Sequence, residues 1–256
     1  MTSLKLLCKD IIYLACYLPL FYSCDVYEST KCRSYVGGYV QLRAIDIWQE
    51  EGMPSYVIVH SKEMPPVKTY HMGSTGMDAE VYDQLCFKHE DMSYNKIRSI
   101  GPAIEDSTPF FIDCDFSSID VCADTDFNEE HPAGSNLADV VRFMSWSPIK
   151  YIKSDYSQLY QYNPEDLSSA FYPIMRVYFA EKYFQKGSLS TCYPIDKLIR
   201  DIESDDLVLL GHDAPGFLGA LHFEILPDDD TEFNVTVTFN TDDGKSLSAT
   251  TLMKLQ

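Results

Sequence analysis

Residues 109–136 carry the densest set of chemically capable side chains: Pro-Phe-Phe-Ile-Asp-Cys-Asp-Phe-Ser-Ser-Ile-Asp-Val-Cys-Ala-Asp-Thr-Asp-Phe-Asn-Glu-Glu-His-Pro-Ala-Gly-Ser-Asn. Two thiols, Cys114 and Cys122, could enter disulfides or ligate a metal. Asp113 and Asp115 fall on one face of an extended strand, where paired carboxylates could exchange a proton. Elsewhere, His212 beside Asp213 could relay a proton or hold a cation. A blander reading fits each of these better. Asp113 and Asp115 read as part of a solvated acidic face, His131 before Pro132 as a turn residue, and Gly211–Gly216 as a structural loop. There is no Cys-x-x-Cys or His-x-x-x-His pair for zinc, no nucleophile elbow, no phosphate-binding loop and no dinucleotide fingerprint. The sequence therefore predicts no catalytic residue, no metal and no cofactor. A secreted hydrolase using His212 and Asp213 is the enzymatic alternative.

What the region offers instead is charge of one sign. No Lys or Arg occurs from Ser99 to Val141, where there are ten acids, and none from Asp201 to Gly244, where there are twelve. Together these windows hold more than half of the 39 acids in a 256-residue chain of net charge −19. Such a field repels nucleic acid and anionic lipid and attracts basic proteins. Local excess of one sign is what an intended electrostatic face requires.

The N-terminus predicts the compartment. Residues 11–22 form an apolar run behind Lys5 and Lys9, long enough for a signal-peptide core and too short to span a bilayer. The reading is a signal peptide over 1–23, a single domain over 24–256, secretion, and no membrane insertion. Cleavage there leaves six cysteines, Cys24, Cys32, Cys86, Cys114, Cys122 and Cys192. In a secreted chain an even number suggests three disulfides. Eight residues of one extended strand cover about 26 Å, so Cys114 and Cys122 need different partners unless the strand folds back. Asn234-Val235-Thr236 is a glycosylation sequon.

Hydrophobic residues make up 45% of the chain, so a sizeable core is available. Phe233, Val235, Val237 and Phe239 alternate with polar residues, and Asp243-Gly244 supplies a hairpin turn before the returning run Ser246–Leu255. Further strands are predicted over Tyr39–Trp48, Ser55–His60, Asp78–Phe87, Phe110–Val121, Ile174–Phe184 and Phe217–Leu226. Helices are predicted at Asn136, with Leu137, Val140, Val141 and Met144 as the stripe, and after Pro194, with Ile195, Leu198, Ile199 and Ile202. A short third helix begins at Asn163-Pro164. The fold class is all-β, a two-sheet sandwich stapled by disulfides, with two or three short helices.

The ligand-binding candidates are Asp124, Asp126, Glu129 and Glu130 in the acidic turn. Trp146 and Tyr151 join them as aromatic anchors, where interface energy concentrates, although an aromatic run after a helix is more often core.

Several blocks resemble the secreted poxvirus chemokine-binding proteins. They are Ile112-Asp113-Cys114, Ser118-Ile119-Asp120-Val121-Cys122 and His131-Pro132-Ala133-Gly134-Ser135-Asn136, together with Pro65-Pro66-Val67-Lys68-Thr69-Tyr70, Gly73, Gly76, Met77, Cys86 and Ile97-Arg98-Ser99-Ile100. They fall in the family's order over roughly residues 60–140. The resemblance implies a disulfide-stapled β-sandwich that works in viral immune evasion. Some members sequester CC chemokines. Relatives block granulocyte-macrophage colony-stimulating factor and interleukin 2, retain class I histocompatibility molecules, or bind costimulatory ligands. Trp146-Ser147-Pro148 resembles the cytokine blocker's Trp-Asp-Pro-Trp motif in its Trp and Pro. The chain departs from the family where a long acidic loop should precede the Pro-Pro block; here that place reads His60-Ser61-Lys62-Glu63-Met64. The expected function is a secreted viral decoy for a host chemokine of basic CC type, performing no chemistry. The alternative is a cytokine of the kinds named above, or a host cell-surface immune ligand.

Overall fold

Strict alternation requires one buried face, and the C-terminal hairpin has it. In a computed structural model that describes residues 34–63, 68–94, 109–178, 185–211, 216–227 and 232–255, the first eleven strands are β1 Gly38–Val40, β2 Ile45–Gln49, β3 Tyr56–Ser61, β4 Thr69–His71, β5 Phe110–Ile112, β6 Phe116–Ala123, β7 Val141–Ser147, β8 Tyr160–Gln161, β9 Leu189–Ser190, β10 Tyr193–Leu198 and β11 Phe217–Phe223. The chain ends on β12 Glu232–Thr241 and β13 Ser246–Lys254, the expected hairpin, with Phe233, Val235, Val237 and Phe239 all buried. Gly244 closes its turn at φ 84°, a conformation that suits glycine.

Two sheets form the sandwich. One has the order β13-β12-β6 and the other β10-β7-β11-β3-β2. Between them lie Ile119, Val121, Val235, Val237 and Phe239 from the first, and Val57, Val59, Phe143, Leu221 and Phe223 from the second. The five-stranded sheet is also buried on its other face, which explains why β3 runs apolar without alternation (Val57-Ile58-Val59). There Ile58, Met144, Trp146 and Ala220 meet a third layer. That layer holds helices α1 Met77–Lys88, α2 Ile149–Lys153 and α3 Phe171–Tyr178, and a small β4-β1-β5 sheet. A Cβ at Gly219 would come within 2.5 Å of Phe143 and 2.8 Å of the Met144 carbonyl, so glycine lets β11 lie against β7.

Where the two sheets' edges meet, a side chain imitates the backbone. The Gln49 amide nitrogen donates to the Lys254 carbonyl at 2.8 Å, and its oxygen accepts the Lys254 N–H at 2.9 Å.

The mostly-β sandwich with three short helices is the expected class. Several elements within it differ. Asp78–Phe87 is helix, not strand: Val81, Tyr82, Leu85 and Cys86 recur at helical spacing and turn inward, while Glu80, Asp83 and Gln84 stay out. Ile174 likewise lies in α3, where Phe171, Ile174 and Met175 are buried; residues 179–184 lie outside the described residues. The helix expected at Asn136 is a turn, because Leu137 N–H bonds to Val121 instead and Asn136 donates its side chain to Asp120. Pro194 sits in β10, an edge strand of its sheet, where a missing N–H is tolerated. Asn163-Pro164 does open a short 3₁₀ turn.

No disulfide joins any two of the described cysteines: Cys86, Cys114, Cys122 and Cys192 are free thiols. Cys86 and Cys192 are buried in the core, so apolar packing surrounds them without a staple. Cys24 and Cys32, the signal segment, the Pro65–Val67 and Ile97–Ile100 blocks, and His212-Asp213 lie outside the described residues.

Candidate binding site

Antiparallel strands sort the two acidic windows by direction. β6 and β11 run toward one end of the sandwich and β12 runs back from it, so each window is divided between both ends. At the end where β6 and β11 finish, four backbone bonds bring the connections together. Glu224 N–H bonds to Val140, Arg200 to Ala138, Asp124 to Asn234 and Phe223 to Ser55. Glu50 and Glu51, the 124–140 loop, Asp201, Glu224 and Glu232 therefore share this end, with Arg142, Arg200 and Lys254 as the cations placed there.

The 124–140 loop is held from inside. Phe127 is buried with its ring centroid 6.1 Å from Phe223 and 5.8 Å from Phe233, and Leu137 is buried beside β6. Its shape is then fixed by short polar side chains bonding nearby backbone. Asp126 accepts Ala133 N–H at 2.8 Å, and Asn128 Oδ1 accepts the N–H groups of Glu130 and His131, each at 2.9 Å. The exposed carboxylates of Asp126, Glu129 and Glu130 are thus presented on ordered backbone.

Asp124 takes both donors of Asn234, backbone at 2.8 Å and side chain at 2.7 Å. The Asn234 side-chain bond, helped by the backbone one, lowers its carboxyl below the usual range. Asp139 is lowered as well, chiefly by its bond from His131 at 2.8 Å. Glu224 is clasped by Arg142 through two nitrogens at 2.8 and 2.7 Å. Asn234 is exposed, and its amide nitrogen, the atom a glycan would use, lies against Asp124.

The loop therefore brings Asp124, Asp126, Glu129 and Glu130 together. It does not bring Trp146 and Tyr151 to them. Both are 3% exposed. Trp146 lies edge-on to Phe171 at 5.5 Å, and Tyr151 lies edge-on to Tyr35 at 5.3 Å. Alternation along β7 turns Trp146 into the third-layer core, and α2 turns Tyr151 there too. Neither ring is an available surface anchor.

The opposite end corrects a second expectation. Asp115 is 5% exposed and not part of a solvated face. Burial would raise its pKa, but bonds from His89 at 3.0 Å and Lys88 at 2.8 Å, with their charge, lower it overall. Lys88 also reaches Asp242 at 2.7 Å, and Lys245 reaches Asp243 at 2.6 Å. Asp113 faces elsewhere, accepting Leu42 N–H at 3.0 Å, so the two carboxylates form no proton-sharing pair. A cleft of about 390 Å³ there is lined by Arg43, Asp113, Cys114 and Lys245. Burial, then the charges of Asp113, Asp115 and Asp242, push the Cys114 thiol up to about 12, which keeps it protonated and a poor nucleophile.

Among the described residues, no group of three His, Cys, Asp or Glu is placed to hold a metal ion, and no helix is long and apolar enough to cross a membrane. Sequence reasoning missed Asp201 as a neighbour of the loop, and Glu50 and Glu51 as acids of the same end. Their signal was weak but real: each sits just beyond an apolar run, where strands end. No family model matches the chain, and no curated protein or solved structure is significantly similar to it.

Proposed function

We propose that this chain is a binding protein that captures a basic protein through the acidic end of its sandwich. The observation behind this reading is the convergence of acids from two sequence windows around one well-held loop. Such a field speeds encounter with a cationic partner and selects against acidic ones. Taken with the motif resemblance over residues 60–140, it makes a secreted viral decoy for a host CC chemokine the first reading. The cytokine reading loses its motif, since Trp146 is in the core. The hydrolase reading rests on His212 and Asp213, outside the described residues.

Surface plasmon resonance against a panel of basic chemokines tests the proposal. On-rates should be fast at low salt and should fall as added salt shortens screening to about 8 Å at physiological strength. Absence of binding by any chemokine at low salt overturns it. Secretion carries its own test, because an oxidising compartment would bridge the cysteines. Alkylation and mass spectrometry of native secreted chain should find Cys24 and Cys32 oxidised, since Cys86, Cys114, Cys122 and Cys192 form no bridge with one another. Free thiols at both Cys24 and Cys32 would count against that route.

A further inference from the structure

His131 occupies a position that constrains its charge. The residue is 6% exposed. Its Nδ1 lies 2.9 Å from Asn128 Oδ1 and its Nε2 lies 2.8 Å from Asp139 Oδ1. The identity of the Asn128 atom is fixed by its other partners. It already accepts the backbone N–H groups of Glu130 and His131, so an amide flip would set an NH₂ against two further donors. Asp139, whose carboxyl is lowered chiefly by this same bond from His131, offers only lone pairs when ionised. Both ring nitrogens therefore face acceptors. Only an imidazolium, with a proton on each nitrogen, satisfies both. A neutral ring would press one bare lone pair against an oxygen.

We propose that His131 is the positioning residue of the acidic loop, a doubly protonated clamp between Asn128 and Asp139 that makes the loop's grip on a basic ligand dependent on pH. While the ring is protonated, the 127–131 turn stays tied to Asp139 and presents Glu129 and Glu130. When the proton leaves, one tie is lost and the turn loosens. The charged groups around the ring act in both directions. On its own loop Asp126, Glu129, Glu130 and Asp139 favour the cation. From the turn after β10, Arg200, whose charge also acts on Asp139, opposes it. Phe127 presents only an apolar ring edge-on to the imidazole.

The positioning claim stands on geometry, whereas the effect on ligand rests on the binding function proposed above. The experiment separates the two. Nitrogen-15 NMR of the full chain, labelled at histidine, should show both His131 nitrogens protonated at about pH 6. Amide protection across Phe127–Gly134, taken relative to the base-catalysed intrinsic rate, should fall several-fold as the ring titrates. His131→Gln, with one donor and one acceptor, should show low protection at every pH. A bare ring nitrogen at about pH 6, or protection in the wild-type chain that ignores the titration, overturns the proposal whether or not the variant folds. A basic CC chemokine serves as the ligand probe, and its affinity should weaken several-fold over the same range in wild type only. If the chemokine fails to bind while the NMR result holds, the clamp stands and the binding reading falls.

Discussion

At one end of the sandwich a carboxylate, Asp115, is buried and receives Lys88 and His89, while Asp242 and Asp243 each have a lysine. At the other end Asp124 is bonded by an amide, Asp126 by a backbone N–H, and among the described residues neither Glu129 nor Glu130 meets a cation. The same residue types serve opposite purposes. Neutralised acids hold elements together and leave little net field. Acids tied by uncharged donors keep their charge facing water, where it repels its neighbours and lowers stability slightly. That second arrangement serves a partner better than it serves the fold.

Trp146→Ala tests the division most forcefully, since this ring belongs to neither end. It should lose about 3–5 kcal/mol in denaturant unfolding, as core truncations do. A folded, stable variant that only releases ligand faster would restore Trp146 as an anchor. Asp115→Asn comes next. It leaves Lys88 and His89 short of their buried partner, and about 2–3 kcal/mol should be lost, less than for a fully enclosed pair because Lys88 is partly exposed and keeps Asp242. Reversing the exposed Glu129 and Glu130 to Lys, with the loop-shaping Asp124 and Asp126 kept, should do the converse. The on-rate for a basic ligand should drop more than tenfold, while unfolding shifts by less than about 1 kcal/mol. A collapse of stability in that variant would erase the difference between the ends.

Acid titration gives a smaller effect. Asp115 has a folded pKa below its ordinary value, so its stabilising contribution is present above the unfolded value of about 4 and is lost as pH falls through the folded one. Wild type should therefore lose stability below about pH 4, and Asp115→Asn should lose less over the same interval.

Parts of this arrangement were legible in the sequence. β12 and β13 were, because a sheet with one dry face writes its period into Phe233, Val235, Val237 and Phe239. The acidic loop was too, since Asp, Asn, Pro and Gly cluster there between apolar runs. The helix α1 was misread because Val81, Tyr82 and Phe87 suit a strand by type, although the buried residues recur at helical spacing. The Pro194 region was misread in the other direction, because an edge strand tolerates the missing donor. Asp115 could not be placed, as its partners lie 26 and 27 residues upstream and arrive only when α1 docks. The placing of Glu50, Asp201 and Glu224 at the same end as Asp124 depends on strand direction, which local pattern does not carry.

The Gln49 amide at Lys254 has a consequence for life in concentrated solution. β2 and β13 are both terminal strands of their sheets, and backbone groups that a terminal strand leaves unpaired can recruit a second chain. By occupying both groups of Lys254, the side chain removes one rung that an incoming strand would need. Gln49→Ala would leave the fold nearly intact but open that rung, and the cost should appear as self-association in light scattering rather than as a lower melting temperature.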